Sequence, residues 1–277
     1  MAYEAPISRT SPTAFLFVVD QSGSMADKMS SGRSKAEFVA DALNRTLMNL
    51  IIRCSKSEGI RDYFDVGVIA YSGTAVGNGF AGALGGKVLH PISALERHPA
   101  RVEDRKKKMD DGAGGLVETN MKFPVWFEPK ADAGTPMREA MAKTAEELVA
   151  WCDAHPDSYP PTVLHVTDGE SSDGDPEPIA EQLRQIRTND GEVVVLNIHV
   201  SVVGSDPIAY PSSESALPDS YSRMLFRMSS PLPSHLLAFA KDKGRSVDAE
   251  ARGFMFNAEA AELVDFFDIG TRASQLR

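Results

Sequence analysis

A chain of 277 residues, 42% apolar and 25% charged, is long enough to bury a core of ordinary size and too apolar for wholesale disorder. Its net charge of -10 argues against a nucleic-acid binder, which needs a clustered basic face. The one basic run, RKKK at 105–108, lies among Glu103, Asp104, Asp110 and Asp111 and reads as a solvated loop or helix face. Cys54 and Cys152 fall on apolar helical positions, as buried thiols of a reducing compartment do. The opening residues show no basic-then-apolar leader, and no apolar run reaches the ~18–20 residues of a membrane helix. The expectation is a soluble, cytoplasmic protein without membrane contact.

Taken in chain order, residues 1–13 read as an extension. FLFVV at 15–19 is a continuous apolar run, the pattern of a central parallel strand. The stretch DQSGSMADKMSSGR that follows is loop chemistry. Ser34 to Glu37 forms a capping box, and Phe38, Val39, Ala42, Leu43, Leu47, Leu50, Ile51 and Cys54 recur at helical spacing behind it. FDVGVIAYSG at 64–73 is a second strand. Residues 77–131 break the rhythm and read as an insertion, irregular loops with one edge strand. Its Gly-rich start, 73–86, lacks the Lys-Ser/Thr of a phosphate-binding loop. Thr135 and Pro136 open a helix with Thr135 at the N-cap, and its apolar stripe is Met137, Met141, Ala145, Leu148, Val149 and Cys152.

TVLHVTD at 162–168 is the next strand, and a helix over 178–188 carries Ile179, Leu183 and Ile186. VVVLNIHVS at 193–201 is another buried strand. Residues 204–234, dense in Ser and Pro, read as a second insertion. LLAFAKDKG at 236–244 is a helix ending on Gly244, FMF at 254–256 a short strand, and 258–272 a closing helix with Leu263, Val264 and Phe267. A tail remains at 273–277. Alternating strands and helices imply one α/β domain over 14–272, with a doubly wound, mostly parallel sheet flanked by helices. Such sheets bind ligands at the carboxyl ends of their strands.

Asp20 and Asp168 each end a predicted strand, and Thr135 precedes a helix, so all three belong at that edge. Ser22 and Ser24 follow Asp20 at alternate positions of one turn. Together they offer five oxygen ligands from three segments. Hard divalent cations take oxygen ligands and keep exchangeable positions. Two carboxylates neutralise such an ion, and hydroxyls add no charge, so it stays open to water or an incoming carboxylate.

DQSGS at 20–24, GTPM at 134–137 and TDGE at 167–170 resemble, in this order, the metal-ion-dependent adhesion site of von Willebrand factor A (vWA) domains. The resemblance spans about residues 14–272 and implies a Rossmann-like vWA fold. It also implies Mg2+, or Mn2+ or Ca2+, held by Asp20, Ser22, Ser24, Thr135 and Asp168, with an open position for a Glu or Asp of a protein partner. The chain is most similar to the intracellular bacterial branch, whose members work beside MoxR-type AAA+ ATPases or in stress and phage-defence gene clusters. That makes it an interaction module and adaptor, not an enzyme.

Other readings are kept beside this one. Each site residue alone is explained by capping or turn chemistry. The acidic loop ESSDGDPEP at 170–178 reads as an exposed turn or a second cation site. His165 and His199 read as packing residues within strands. Asp20 after a buried strand also resembles the nucleophile of haloacid-dehalogenase-type phosphatases, but Ser22 stands where those enzymes need a second acid, and no suitably placed lysine is evident. The remaining alternative is a structural scaffold whose site stays empty.

Overall fold

A computed structural model describes residues 3–29, 31–110, 116–201, 206–258 and 260–272, so the expected tail at 273–277 lies outside the described residues. The strands of the main sheet are β1 (Thr13–Asp20), β4 (Phe64–Ser72), β5 (Ala75–Asn78), β6 (Leu89–Pro91), β9 (Thr162–Thr167), β12 (Val194–Val200), β13 (Ile208–Ala209) and β14 (Phe254–Ala258). Their order is β13-β14-β12-β9-β1-β4-β5, with β6 also paired to β4. β14, β12, β9, β1 and β4 run parallel. β5, β6 and β13 are antiparallel edge pieces. Short ladders β2–β3 (Ser55–Lys56, Gly59–Ile60) and β10–β11 (Arg187–Thr188, Gly191–Glu192) close two connections. The expected doubly wound, mostly parallel α/β fold is present.

β1 is buried at every residue, as its unbroken apolar run requires. Phe15, Phe17 and Val19 face α1 (Lys35–Cys54), α6 (Ser234–Asp242) and α7 (Ala260–Gly270), while Ala14, Leu16 and Val18 face α3 (Met137–Ala154), α4 (Glu177–Gln185) and α5 (Ser220–Met228). Two apolar layers result, in which each buried Leu, Val or Phe contributes about 1.5–3 kcal/mol relative to exposure. Cys54 and Cys152 are buried free thiols, and burial raises them to about 12 and about 11.

Several expectations need correction. Residues 77–131 are largely regular: besides β5 and β6 they hold the short helix α2 (Ile92–Arg97) and an antiparallel hairpin of two ten-residue strands, β7 (Arg101–Asp110) and β8 (Leu116–Val125). The basic run is thus strand, neither loop nor helix. The cross-strand pair Lys106–Glu118, the ion pairs of Arg105 with Glu103 and Asp41, and its stacking on Phe123 offset the run's charge, effects that only a known register and fold reveal. The base of the hairpin is tied to α1 by Asn44. Its Oδ1 accepts from the amides of Trp126 and Phe127, and its Nδ2 donates to the carbonyls of Phe127 and Ala40.

Within 204–234, α5 packs Leu225, Phe226 and Met228 onto the sheet and is part of the layer. The helix expected over 178–188 stops at Gln185, because Arg187 and Thr188 pair in β10. Val149 and Val264 are exposed. The stripe of α3 runs instead through Ala140, Thr144 and Trp151, with the Thr144 hydroxyl satisfied by the Ala140 carbonyl at 2.8 Å.

Candidate functional site

From β1 the chain passes to α1 on one face and on to β4; from neighbouring β9 it passes to α4 on the other face and on to β12. Adjacent strands whose connections leave in opposite directions open a crevice at their carboxyl ends. Asp20 and Asp168 sit at that switch point.

Four of the five expected site residues form one chain of contacts. The amide of Ser22 donates to Asp20 Oδ1 at 2.8 Å, and the Thr167 hydroxyl donates to Asp20 Oδ2 at 2.6 Å. The hydroxyls of Ser22 and Ser24 lie 3.1 Å apart, and Ser24 Oγ donates to Asp168 Oδ1 at 2.7 Å. The Asp20 carboxyl is buried, which raises it from 3.8 to about 6; the bonds from Thr167 and Ser22 pull it the other way, and Asp168 adds a small push upward. A 3-10 turn at Gly23–Ala26, anchored by buried Met25, holds Ser24 against Asp168.

Thr135 reaches the same edge by a different route. Gly73 and Gly134 both take positive φ, +59° and +86°, and the Gly73 amide donates to the Gly134 carbonyl at 3.1 Å. A Cβ on Gly134 would lie 2.3 Å from the Gly73 carbonyl oxygen, so only glycine allows the two loops this crossing. Asp132, three residues before Thr135, bridges to Ser22, and its amide donates to the Gln21 carbonyl at 2.8 Å. Among the described contacts Thr135 hydrogen-bonds through backbone atoms alone: its amide donates to Ser172 Oγ, and its carbonyl accepts from Ser172 and Met137.

Thr135 is therefore not the side-chain cap of α3. Asp173 does that work from the loop after β9, its two oxygens accepting from the amides of Arg138 and Glu139 at 2.9 and 2.8 Å. The same contact occupies the acidic loop. Asp175 accepts from the Glu177 amide, and Glu177 pairs with Arg227. Among the described residues no group of three or more His, Cys, Asp or Glu is placed to hold a metal ion, so the second cation site gains no donor set.

One residue of the site was not singled out in the sequence. Lys35, the first residue of α1, sends its amine into the site, where Nζ lies 2.7 Å from Asp168 Oδ2, 3.2 Å from Asp27 Oδ2 and 3.4 Å from the Ser24 carbonyl. His199 is a packing residue as expected: at the end of β12 it stacks on Phe256 at 4.9 Å, and its buried Nδ1 has no partner among the described residues. Burial lowers its pKa, while nearby Asp219 and Asp168 act to raise it. His165 is a core residue as expected. Asn197 Nδ2 donates to Ser229 Oγ, which turns Asn197 Oδ1 toward His165 Nδ1–H and leaves His165 Nε2 to accept from Tyr71 beneath Asp20.

The donor set is all oxygen: two carboxylates and two serine hydroxyls in contact, with a threonine on the adjoining loop. This chemistry fits a hard divalent cation and not a soft one.

No family model and no curated protein matches this sequence. Among solved structures the chain is similar to three N-terminal domains of the type V pili tip protein Mfa5 from Porphyromonas gingivalis, at 13% identity over 58% of this chain and a TM-score of 0.31. It is also similar to the vWF domain of that protein, at 10% identity over 58% of this chain and a TM-score of 0.29. The chain spans 20% and 39% of the lengths of those two structures. No helix among the described residues is long and apolar enough to cross a membrane.

Proposed function

We propose that the chain is a vWA-type, divalent-metal-dependent protein-interaction module. The observation that carries this reading is the continuous contact from Asp20 through Ser22 and Ser24 to Asp168 at the sheet's switch point. Asp20, Ser22, Ser24, Thr135 and Asp168 would hold Mg2+ or Mn2+. The bound ion supplies a Lewis-acidic position for an oxygen of a partner. Asp20 and Asp168 balance its charge, and the uncharged hydroxyls set its place without quenching its attraction for an anion. The partner class is a protein presenting Glu or Asp. The resemblance to the bacterial branch directs the search to AAA+ ATPases and other products of the same gene cluster.

The test is capture of partner from host extract on the immobilised full chain. Capture is expected with Mg2+ or Mn2+ and is lost with EDTA and with Asp20→Ala. Capture that survives both treatments overturns the metal-bridged reading.

A phosphoryl-transfer enzyme is a second reading, and one observation favours it: Lys35 supplies the lysine that seemed missing. Ser22 still stands where a general acid is needed, and a serine hydroxyl is far too weak an acid for general acid–base work near neutral pH. Asp20-dependent hydrolysis of phosphate esters by the purified chain would decide for this reading.

A further inference from the structure

Lys35 is in the wrong place by local rules. It is the first residue of α1, where the helix dipole disfavours a cation. Its side chain is only 6% exposed, although lysine is seldom buried without a partner. The helix does not need it: Ser34 and Glu37 complete the cap through the Glu37 amide at 3.1 Å and the Ser34 amide at 2.7 Å. What the amine does meet is the site, with the buried Asp168 carboxylate as its shortest contact.

We propose that Lys35 is the site's resident counter-cation. It holds one oxygen of Asp168, lowers affinity for the divalent ion so that the ion exchanges, and leaves the loaded site positive toward an incoming carboxylate. This inference rests on the metal-bridged reading above.

The charge count carries it. Among the described residues, Asp20, Asp168 and Lys35 are the buried charged groups here, two carboxylates and one ammonium. They hold one net negative charge, and a divalent ion turns it into one net positive charge. Without the lysine the loaded set would be neutral overall, and only the ion's open position would draw an anion; with it, a net positive charge adds to that pull. Asp27 also faces the ammonium, but its side chain is 57% exposed and solvent screens it. His199, near Asp168, lies behind the same strand edge and is kept toward its neutral form by burial. Both oxygens of Asp168 already have donors, Ser24 Oγ on one and Lys35 Nζ on the other, so an entering ion must compete with both.

The test is titration of the full chain with Mn2+ alone, read by calorimetry and by electron paramagnetic resonance. Variants are Lys35→Met, Lys35→Gln and Asp20→Ala, each checked for fold by circular dichroism. Lys35→Gln keeps a donor for Asp168 while removing the charge, so it covers a failure of Lys35→Met to fold. Both lysine variants are expected to bind Mn2+ about tenfold or more tightly than the wild type. Acetate added to the Mn2+-loaded proteins is expected to bind the wild type more tightly than either variant. A folded Lys35→Gln with unchanged or weaker Mn2+ affinity overturns the inference while wild-type binding leaves the metal reading standing. Absence of Mn2+ binding by every protein, or binding that Asp20→Ala leaves intact, overturns the metal reading and this inference with it.

Discussion

Replacing Asp20 with asparagine separates what this carboxylate costs the fold from what it gives the site. Asparagine keeps the shape: its Oδ1 can accept from the Ser22 amide, and its Nδ2 can donate to Thr167 Oγ1, which also neighbours the Gly169 carbonyl. What it removes is a buried negative charge. In the folded protein Asp20 titrates at about 6 rather than at its ordinary 3.8, mainly because burial penalises the charged form. Between those values the native state binds the proton that the unfolded chain has lost, so stability falls as pH rises through the window. The penalty is complete above pH ~6 and amounts to about 3 kcal/mol. At roughly 2–4 °C per kcal/mol for a chain of this size, that is a gain of several degrees for Asp20→Asn. The assay is thermal melting in EDTA across pH. The variant should melt higher than the wild type near neutral pH, and the gap should close as pH falls through about 6 toward about 4. Excess Mg2+ should then stabilise the wild type and leave the variant unmoved. An Asp20→Asn protein that melts lower than the wild type in EDTA at neutral pH would refute the argument, because hydrogen bonding and not burial would then dominate at Asp20.

Three further predictions follow from the buried polar contacts. Burial lowers His165 from 6.5 to about 4, so its contribution to stability is complete above pH ~6.5 and is lost as pH falls toward 4; nitrogen NMR should show a neutral ring protonated on Nδ1 down to about pH 4, and an imidazolium at pH ~6 contradicts the network. Asn44→Ala strands two amides and a carbonyl at the hairpin base and should destabilise by about 3 kcal/mol or more in urea unfolding, whereas a loss below about 1 kcal/mol would mean that water replaces the side chain. Gly134→Ala forces a Cβ onto the Gly73 carbonyl and should cost about 2 kcal/mol while weakening Mn2+ binding through Thr135; unchanged stability would show that the two loops move apart freely.

The layers were legible because burial and periodicity coincide. The unbroken run in β1 and the capped stripe of α1 each had one physical reading. The hairpin of β7 and β8 was hidden, since a run of lysines signals a strand only when its cross-strand carboxylates are known. Helix α5 was hidden by the Ser and Pro residues around it, although Leu225, Phe226 and Met228 carry its buried face. At the site, the order of Asp20, Ser22, Ser24, Thr135 and Asp168 was readable from strand ends and turn spacing. The capping role assigned to Thr135 was not, because Asp173 reaches α3 from 34 residues away or more along the chain. Lys35 was missed for a related reason: a lysine beside a capping box looks solvated until the loop after β9 brings Asp168 to it.

The central claim is that a divalent ion seats on the oxygens joined from Asp20 to Asp168. Mn2+ binding to the full chain, followed by pulsed electron paramagnetic resonance, tests it most directly. A single saturable site is expected, all-oxygen in its ligands, abolished by Asp20→Ala and weakened by Ser24→Ala and Thr135→Ala. A folded wild-type chain that leaves Mn2+ free in solution, or an ion whose binding ignores Asp20, contradicts it.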